Sequence, residues 1–214
     1  MPNPMKNKAL WVTLIAAMVA LLVWLAFFWQ PVPQTTLSNK TAHVQLSQTN
    51  SENGGDFVLQ SPSGRVSLSD YRGKIVLLYF GYTFCPDVCP TSLSLMAQAL
   101  SMLKPDELNG IKAFFISIDP ERDTLDVLKV YTPFFHPAIV GLGGTVEEVA
   151  QVASQYGARY MKQKPKDGAP YAVDHSSFTY LIGPDGKLAA SLPHGSSPQQ
   201  IVDKIRPLLN TTKP

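Results

Sequence analysis

Two cysteines, Cys85 and Cys89, have the type and spacing that most clearly indicate chemistry in this 214-residue chain. They are the chain's full set of 2 cysteines, which is too few for a structural disulfide framework. A bridge between them would close a very short loop and remove little entropy from the unfolded chain, so stabilisation is a poor reason for the pair. Thiolates bind soft metal ions and attack disulfides. The pair therefore indicates a metal site or thiol–disulfide exchange.

Three residues separate the two cysteines, one more than in a Cys-x-x-Cys redox pair, which leaves room for both sulfurs to open toward a third partner. Two thiolates suit Cu(I) but leave it under-coordinated, and a neutral imidazole would complete a trigonal Cys2His set. Among the 4 histidines, His175 is best placed, directly before a predicted strand. Its spacing alone leaves open a second interpretation, a polar side chain that binds only backbone. We assign no ligand role to the others: His43, His136 and His194.

The segment Gly81–Pro90 places both cysteines where a buried strand meets the following helix. The strand is predicted from the continuous apolar run 75–80, and ligands of open α/β sheets bind at the carboxyl ends of strands. We predict that Cys89 is the N-cap and Pro90 the first helical residue. The positive end of the helix dipole would then lower the thiol pKa and favour the thiolate.

The remaining pattern predicts an α/β fold in which helices flank a mixed sheet. The predicted order is hairpin, strand, helix, strand, helix, helix, hairpin, helix. A cysteine pair at the junction of the first buried strand and its helix marks a thioredoxin-like fold. The predicted strands are 57–60, 66–68, 75–80, 111–118, 177–182 and 187–192. Four helices are predicted: the first contains Leu93 to Leu103, the second begins near Asp123 or Thr124, the third begins at the capping box Thr145–Glu148, and the fourth begins at Ser197.

The N-terminal 30 residues predict a membrane anchor. Residues 9–29 carry no charge, and 21 residues of helix at about 1.5 Å each span roughly the 30 Å of a hydrocarbon core. Lys6 and Lys8 precede this run and the next basic residue is Lys40, which places residues 1–8 in the cytoplasm. We therefore expect a transmembrane helix at 9–29, a polar linker at 30–53 and a domain at 54–214. With no Arg-rich transit peptide, a bacterial inner membrane with a periplasmic domain is the expected location.

Charge argues against nucleic acid as a partner. The chain has 18 basic and 16 acidic residues, a formal net charge of +2. Two of the basic residues belong to the N-terminal flank of the predicted anchor, so the remainder is balanced. A nucleic-acid footprint would need a clustered basic excess.

Three motifs together resemble the Sco/SenC family. They are Phe84–Thr91 with both cysteines, Ser117–Thr124 with the letters SIDPERDT, and Val173–Ser176 with the letters VDHS. The resemblance covers nearly the whole chain. It implies a thioredoxin-like domain that binds one copper ion, Cu(I) or Cu(II), through Cys85, Cys89 and His175. It also implies a role in assembling the CuA centre of cytochrome c oxidase, by copper delivery, by reducing the receiving cysteines, or both.

The partners implied by the resemblance are the CuA-bearing subunit of cytochrome c oxidase and a protein that donates copper. Asp87 and Asp174 are candidates for the shell around the ligands, because a carboxylate beside a ligating histidine can fix its tautomer. Asp119 and Asp123 are expected to organise the loop after the second buried strand, Asp119 in a turn before a proline and Asp123 as a cap of the next helix. A basic cluster, Lys162, Lys164 and Lys166, is expected to be a solvated surface.

Three other functions compete with a metallochaperone. A thiol–disulfide oxidoreductase, with Cys85 and Cys89 as its catalytic residues, would act without metal and would not depend on His175. A peroxidase of the peroxiredoxin type is disfavoured, because its resolving cysteine is usually farther away. A structural zinc site is disfavoured because it needs four protein ligands. The sequence thus predicts a binding and delivery protein, with reductase activity as the alternative.

Overall fold

The computed structural model describes residues 11, 15–24, 54–165, 168 and 170–210. The chain divides into two units, Met1–Gln45 and Leu46–Pro214. In the first unit, residues 15–24 are helical and their side chains are exposed. Within the described parts of the chain, no helix combines the length and the apolar character needed to cross a bilayer. Much of the predicted anchor at 9–29 and the whole predicted linker at 30–53 lie outside the described residues.

A five-stranded mixed sheet forms the centre of the second unit. Its strands are β3 (Ile75–Gly81), β4 (Ile111–Ser117), β5 (Ile139–Leu142), β8 (Phe178–Ile182) and β9 (Leu188–Pro193). The strand order is β5-β4-β3-β8-β9, in which β3, β4 and β5 are parallel and β8 and β9 are antiparallel to their neighbours. All seven residues of β3 are buried, as predicted for a strand covered on both faces.

Helices cover the sheet through the apolar stripes that the sequence predicts. The helices are α1 (Val88–Ser101), α2 (Pro105–Asn109), α3 (Leu125–Phe135), α4 (Val146–Gln155) and α5 (Pro198–Asn210). Leu93, Met96 and Leu100 are fully buried, and their helix α1 packs against α5. The capping box at Thr145 and Glu148 is formed, and Ser197 and Gln200 exchange the same pair of hydrogen bonds at the start of α5.

Two small antiparallel pairs lie outside the central sheet. The first is the predicted hairpin of β1 (Val58–Ser61) and β2 (Gly64–Ser67). The second joins β6 (Tyr160–Lys162) to β7 (Val173–His175) and was not predicted. Strand β5 and the short helix α2 were also missed. The pair β6–β7 matters most, because it places His175 at the end of a strand, opposite Tyr160.

Candidate metal centre

The two cysteines follow the carboxyl end of β3, as predicted, but they differ in exposure. Cys89 is 0 % exposed and belongs to the core, whereas Cys85 is half-buried. Both are free thiols, and the backbone N–H of Cys89 donates to the Cys85 sulfur at 3.4 Å. One sulfur is therefore open to solvent and partners, and the other is sealed behind it.

The start of α1 differs from the prediction that Cys89 is its N-cap. The helix begins at Val88 with Asp87 as the N-cap, so Cys89 is the second helical residue and Pro90 the third. Proline is tolerated there because the first four N–H groups of a helix have no partner within the helix. The shift carries Cys89 into the first turn of α1, where its side chain points into the core.

Gly81, the last residue of β3, lets the Cys89 sulfur approach the backbone of that strand. A Cβ atom added at Gly81 would lie 2.8 Å from the Cys89 sulfur and 2.9 Å from the Phe115 ring. Contacts this short are essentially never formed by real side chains, so any larger residue would displace the sulfur. Gly81 is the first residue of the cysteine segment, but sequence reasoning assigned it no role.

His175 approaches the cysteines from the β6–β7 pair. Its ring stands edge-on to two tyrosines, with ring centroids 6.2 Å from Tyr79 and 6.0 Å from Tyr82. Tyr79 lies in β3 and Tyr82 directly follows it. The buried aromatic rings thus fix the imidazole above the end of the same strand that leads to the cysteines.

The donor atoms of Cys85, Cys89 and His175 all lie within 4.8 Å of one another. His175 Nε2 is 3.2 Å from the Cys89 sulfur. His175 Nδ1 lies 3.1 Å from the carbonyl oxygen of Ser176. Since a carbonyl can only accept, Nδ1 carries the proton. Nε2 of the neutral ring therefore presents its lone pair to the sulfurs, as a metal ligand must.

Burial controls the charge states at this site. Loss of solvation lowers the pKa of the His175 imidazole, which keeps the ring neutral. Burial raises the pKa of the Cys89 thiol, so Cys89 is a protonated thiol in the copper-free protein. The prediction that the helix dipole makes it a thiolate is therefore wrong for Cys89. The helix dipole does favour a thiolate, but the cost of removing that charge from water is the larger effect here. The Cys89 S–H can instead donate to His175 Nε2.

Two sulfurs and one imidazole fit copper better than the other common metals. Soft thiolates select Cu(I), and a three-residue set falls short of the four protein ligands of structural zinc sites. A cavity of about 390 Å³ opens beside the donors. It is lined mainly by the segments 85–88 and 172–175, so an ion or a partner's side chain can reach Cys85 and His175.

Neither Asp87 nor Asp174 makes the expected hydrogen bond to the imidazole of His175. Asp87 is exposed and its carboxylate accepts from the Thr91 hydroxyl at 3.3 Å. Asp174 accepts from the side-chain amide of Gln163. The proton of His175 is held by the Ser176 carbonyl instead. A backbone carbonyl fixes the tautomer as well as a carboxylate does.

Asp123 holds the cysteine loop and does not cap α3. It is 3 % exposed and accepts three hydrogen bonds, from the Thr83 N–H at 2.9 Å, the Thr83 hydroxyl at 2.6 Å and the Ser117 hydroxyl at 2.7 Å. The N-cap of α3 is Thr124, whose side chain accepts from the Val127 N–H. The expected capping role of Asp123 is therefore wrong, because its carboxylate turns inward to the loop that precedes Cys85.

Neither of the other two described histidines belongs to this group of donors. His136 accepts from the N–H of Ala138 at a turn, and His194 Nδ1 contacts the Ser92 hydroxyl at 2.9 Å. Met96 is a core residue of α1, as the stripe predicts. Lys162 forms an ion pair with Glu121, so this member of the basic cluster is not simply solvated.

The comparisons with known proteins agree with this geometry. The family model described as SCO1/SenC matches residues 45–210. The bovine mitochondrial SCO2 homologue is 40 % identical over 154 residues, which cover 71 % of this chain and 58 % of the relative. A SCO2-like protein of Rickettsia felis is 39 % identical over 165 residues, or 76 % of this chain and 80 % of the relative. The chain thus spans little more than half of its bovine relative.

A solved structure shows the same fold with a metal. Bradyrhizobium japonicum ScoI with copper bound aligns at a TM-score of 0.67 with 36 % identity, over 73 % of this chain and 99 % of that one. The mixed sheet and its flanking helices are therefore those of a thioredoxin-like Sco domain, and the Cys-Cys-His group lies within this domain. By sequence and by structure, the chain belongs to the SCO1/SenC family.

Proposed function

We propose that this protein is a copper metallochaperone that binds one copper ion through Cys85, Cys89 and His175 and delivers it to the CuA centre of cytochrome c oxidase. The observation that carries the proposal is the convergence of the three soft donor atoms within 4.8 Å beside an open cavity. Membership of the SCO1/SenC family supports the oxidase as the destination.

Copper is the cargo in this proposal, and the two sulfurs differ in how easily they exchange as copper ligands. Cys89 has a raised pKa and 0 % exposure, so copper has to displace its proton before the sulfur can bind. Cys85 is half-buried and borders the cavity. A ligand from the receiving protein would therefore replace Cys85 or His175 first and Cys89 last. Transfer by stepwise ligand exchange suits this arrangement.

Thiol–disulfide exchange with the receiving protein is a second candidate function, and the exposure of Cys85 favours it. An attacking thiol must be accessible, and Cys85 also accepts a hydrogen bond from the Cys89 N–H. A Cys89→Ser variant keeps the attacking sulfur and lacks the resolving one, so it should trap the partner as a mixed disulfide. Failure to trap any partner in cells would contradict this activity.

Replacing His175 by alanine is expected to weaken Cu(I) binding about 10- to 100-fold. The lost ligand is one of three, but the soft thiolates contribute more to Cu(I) affinity than the imidazole does. The thiolate-to-copper absorption of the Cu(II) form should also change. Competition with a chelator of known Cu(I) affinity measures the first effect, and thiol titration confirms that both cysteines stay intact.

The matched control is His136→Ala, which removes a half-buried histidine that lies outside the group of donors and accepts only from a nearby backbone N–H. It should bind copper as the unmodified protein does. If His175→Ala and His136→Ala both retain full affinity, the third ligand is misassigned and the dithiol reductase becomes the better explanation.

We also propose the chain organisation that the sequence predicts, with an anchor at 9–29, a linker at 30–53 and a periplasmic domain at 54–214. Two observations support the anchor. The apolar side chains of the helical residues 15–24 are exposed, and the lysines of the flank precede the run. Bacterial relatives in the comparison are consistent with an inner membrane.

Cys85 provides a natural probe of this topology. In intact spheroplasts, a membrane-impermeant maleimide should label the half-buried Cys85 if the domain lies on the periplasmic side. Carbonate extraction should leave the protein in the membrane fraction. A Cys85→Ser variant is the control, because the remaining Cys89 is buried. Labelling only after the membrane is broken would place the domain in the cytoplasm and overturn the proposed orientation.

A further inference from the structure

The loop after β4 contacts both segments that carry the proposed copper ligands. These segments are the cysteine loop, residues 82–87, and the histidine segment, residues 171–176. Asp119 and Arg122 belong to the loop after β4 and are buried to different degrees, with side chains 0 % and 17 % exposed. A charged pair in this position needs specific partners, because burying an unpaired charge is costly.

Arg122 binds the histidine segment through Tyr171. Its Nη1 donates to the Tyr171 carbonyl oxygen at 2.9 Å, and its guanidinium carbon lies 3.7 Å from the centre of the Tyr171 ring. A hydrogen bond to the backbone and stacking on the side chain of one residue fix that residue in two directions. Tyr171 stands four positions before His175, at the start of the segment that leads into β7.

Asp119 in turn fixes the arginine and the tyrosine together. It forms an ion pair with Nε of Arg122, and its other oxygen accepts from the Tyr171 hydroxyl at 2.6 Å. Within the described part of the chain, Nη2 of Arg122 is buried and has no hydrogen-bond partner. The arrangement is a closed triangle of three side chains.

Arg122 also contacts the cysteine loop. The guanidinium carbon lies 4.9 Å from the centre of the Phe84 ring and 5.6 Å from that of Tyr82. Phe84 directly precedes Cys85, and its side chain is 59 % exposed, so the guanidinium covers only part of the ring. A second link between the two segments is the Val173 N–H, which donates to the Tyr82 hydroxyl at 3.3 Å.

We propose that Arg122 is a positioning residue that sets the separation between His175 and the cysteine sulfurs. It joins Phe84 on one side to Tyr171 on the other, and touches none of the three donor atoms. The proposal rests on the proposed function, because it concerns the same copper site. Without the guanidinium, the histidine segment loses its contact with the cysteine loop at Phe84 and the hydrogen bond to the Tyr171 carbonyl. The Tyr171 hydroxyl keeps its bond to Asp119, but the imidazole is held less closely over the sulfurs.

The test uses Arg122→Met and Arg122→Lys in the purified full-length chain. Methionine keeps an apolar stem of similar reach but loses the charge and the hydrogen bonds. Arg122→Met should lower copper affinity about 10-fold, the lower end of the loss expected when a residue that orients a metal ligand is replaced. Lysine can keep the ion pair with Asp119 but cannot also donate to the Tyr171 carbonyl and stack on the Tyr171 ring, so the copper affinity of Arg122→Lys should fall between those of the unmodified protein and Arg122→Met. The thiolate-to-copper absorption of the Cu(II) form should shift in the same order.

A double-mutant cycle with His175→Ala separates positioning from a general loss of stability. If Arg122 acts through His175, Arg122→Met should have little effect on copper affinity once His175 is alanine. The control is Arg206→Met, which removes an arginine paired at 3.1 Å with Glu107 and should leave affinity and spectrum unchanged.

The outcomes distinguish this inference from the proposed function. The positioning role would be overturned if Arg122→Met lowered copper affinity equally with and without His175. It would also be overturned if Arg122→Met changed neither affinity nor spectrum while His175→Ala weakened copper binding. If the unmodified protein binds no copper, or His175→Ala binds it fully, the proposed function fails first. Should Arg122→Met not fold, Arg122→Lys carries the same cycle.

Discussion

The Cys89→Ser variant is expected to lose Cu(I) affinity by about a hundredfold to a thousandfold. Metal binding to four-ligand sites is worth about 10–16 kcal/mol, or roughly 3 kcal/mol for each ligand, and each 1.4 kcal/mol is a factor of ten. Serine offers a hydroxyl that is hard and stays protonated, so it cannot replace a thiolate toward a soft ion. Because Cys89 is 0 % exposed, solvent cannot supply a substitute ligand at that position.

Chelator competition on the full-length protein measures this loss, and Cys85→Ser is the companion variant. Both should be impaired, because each removes one of two thiolates. Met96→Leu is the matched control. It replaces a buried sulfur of the same helix that lies outside the donor group, at a stability cost below about 1.5 kcal/mol. Full copper affinity in Cys89→Ser, or a loss in Met96→Leu equal to that in Cys89→Ser, would refute the ligand set.

The parts of the fold that the sequence predicts are those governed by local patterns. The run at 75–80 became the fully buried β3 because a strand covered on both faces needs continuous apolar residues. The helix stripe at Leu93, Met96 and Leu100 is buried for the same kind of reason. The position of Cys85 and Cys89 at the end of β3 follows directly, since the motif continues from the strand.

The strand pair that delivers His175 could not be predicted from local pattern. Strands β6 and β7 have three residues each and are joined by a segment rich in lysine and proline. Neither has room for an alternating pattern, and each has the other as its strand partner. Strand β5 was missed because its four residues include Gly141. The family resemblance, rather than periodicity, is what selected His175 from the sequence.

The charge state of Cys89 and the role of Asp123 depend on tertiary burial. The sequence places a cysteine near a helix start, which predicts that the helix dipole lowers its thiol pKa. The opposing effect, desolvation of the thiolate, depends on which side chains pack around the sulfur, and the local sequence does not show these. Likewise, an aspartate before a helix predicts a cap, since the helix start is its nearest source of donors. The donors that Asp123 binds come from Thr83, 40 positions away, and from Ser117.

Replacing Asp123 by alanine is expected to destabilise the domain by about 3 kcal/mol. Hydrogen bonds to a charged acceptor contribute about 1.5–3 kcal/mol each, and part of that is recovered if water or neighbouring groups reach the donors. The backbone N–H of Thr83 would lose its acceptor, and the loop that leads to Cys85 would lose its link to β4. The midpoint of thermal unfolding should fall by roughly 6–12 °C for a domain of this size.

Asp126→Ala is the matched control for this change, because it removes a second carboxylate only three residues away. Asp126 is exposed in the first turn of α3, where a favourable contact with the helix dipole is worth about 0.3–1 kcal/mol. Urea unfolding of both variants compares a buried carboxylate with an exposed one in the same loop and helix. If Asp123→Ala unfolds at the same urea concentration as Asp126→Ala, the hydrogen bonds to Thr83 and Ser117 do not hold the cysteine loop. The placement of Cys85 would then have to come from the packing of α1 on β3 alone.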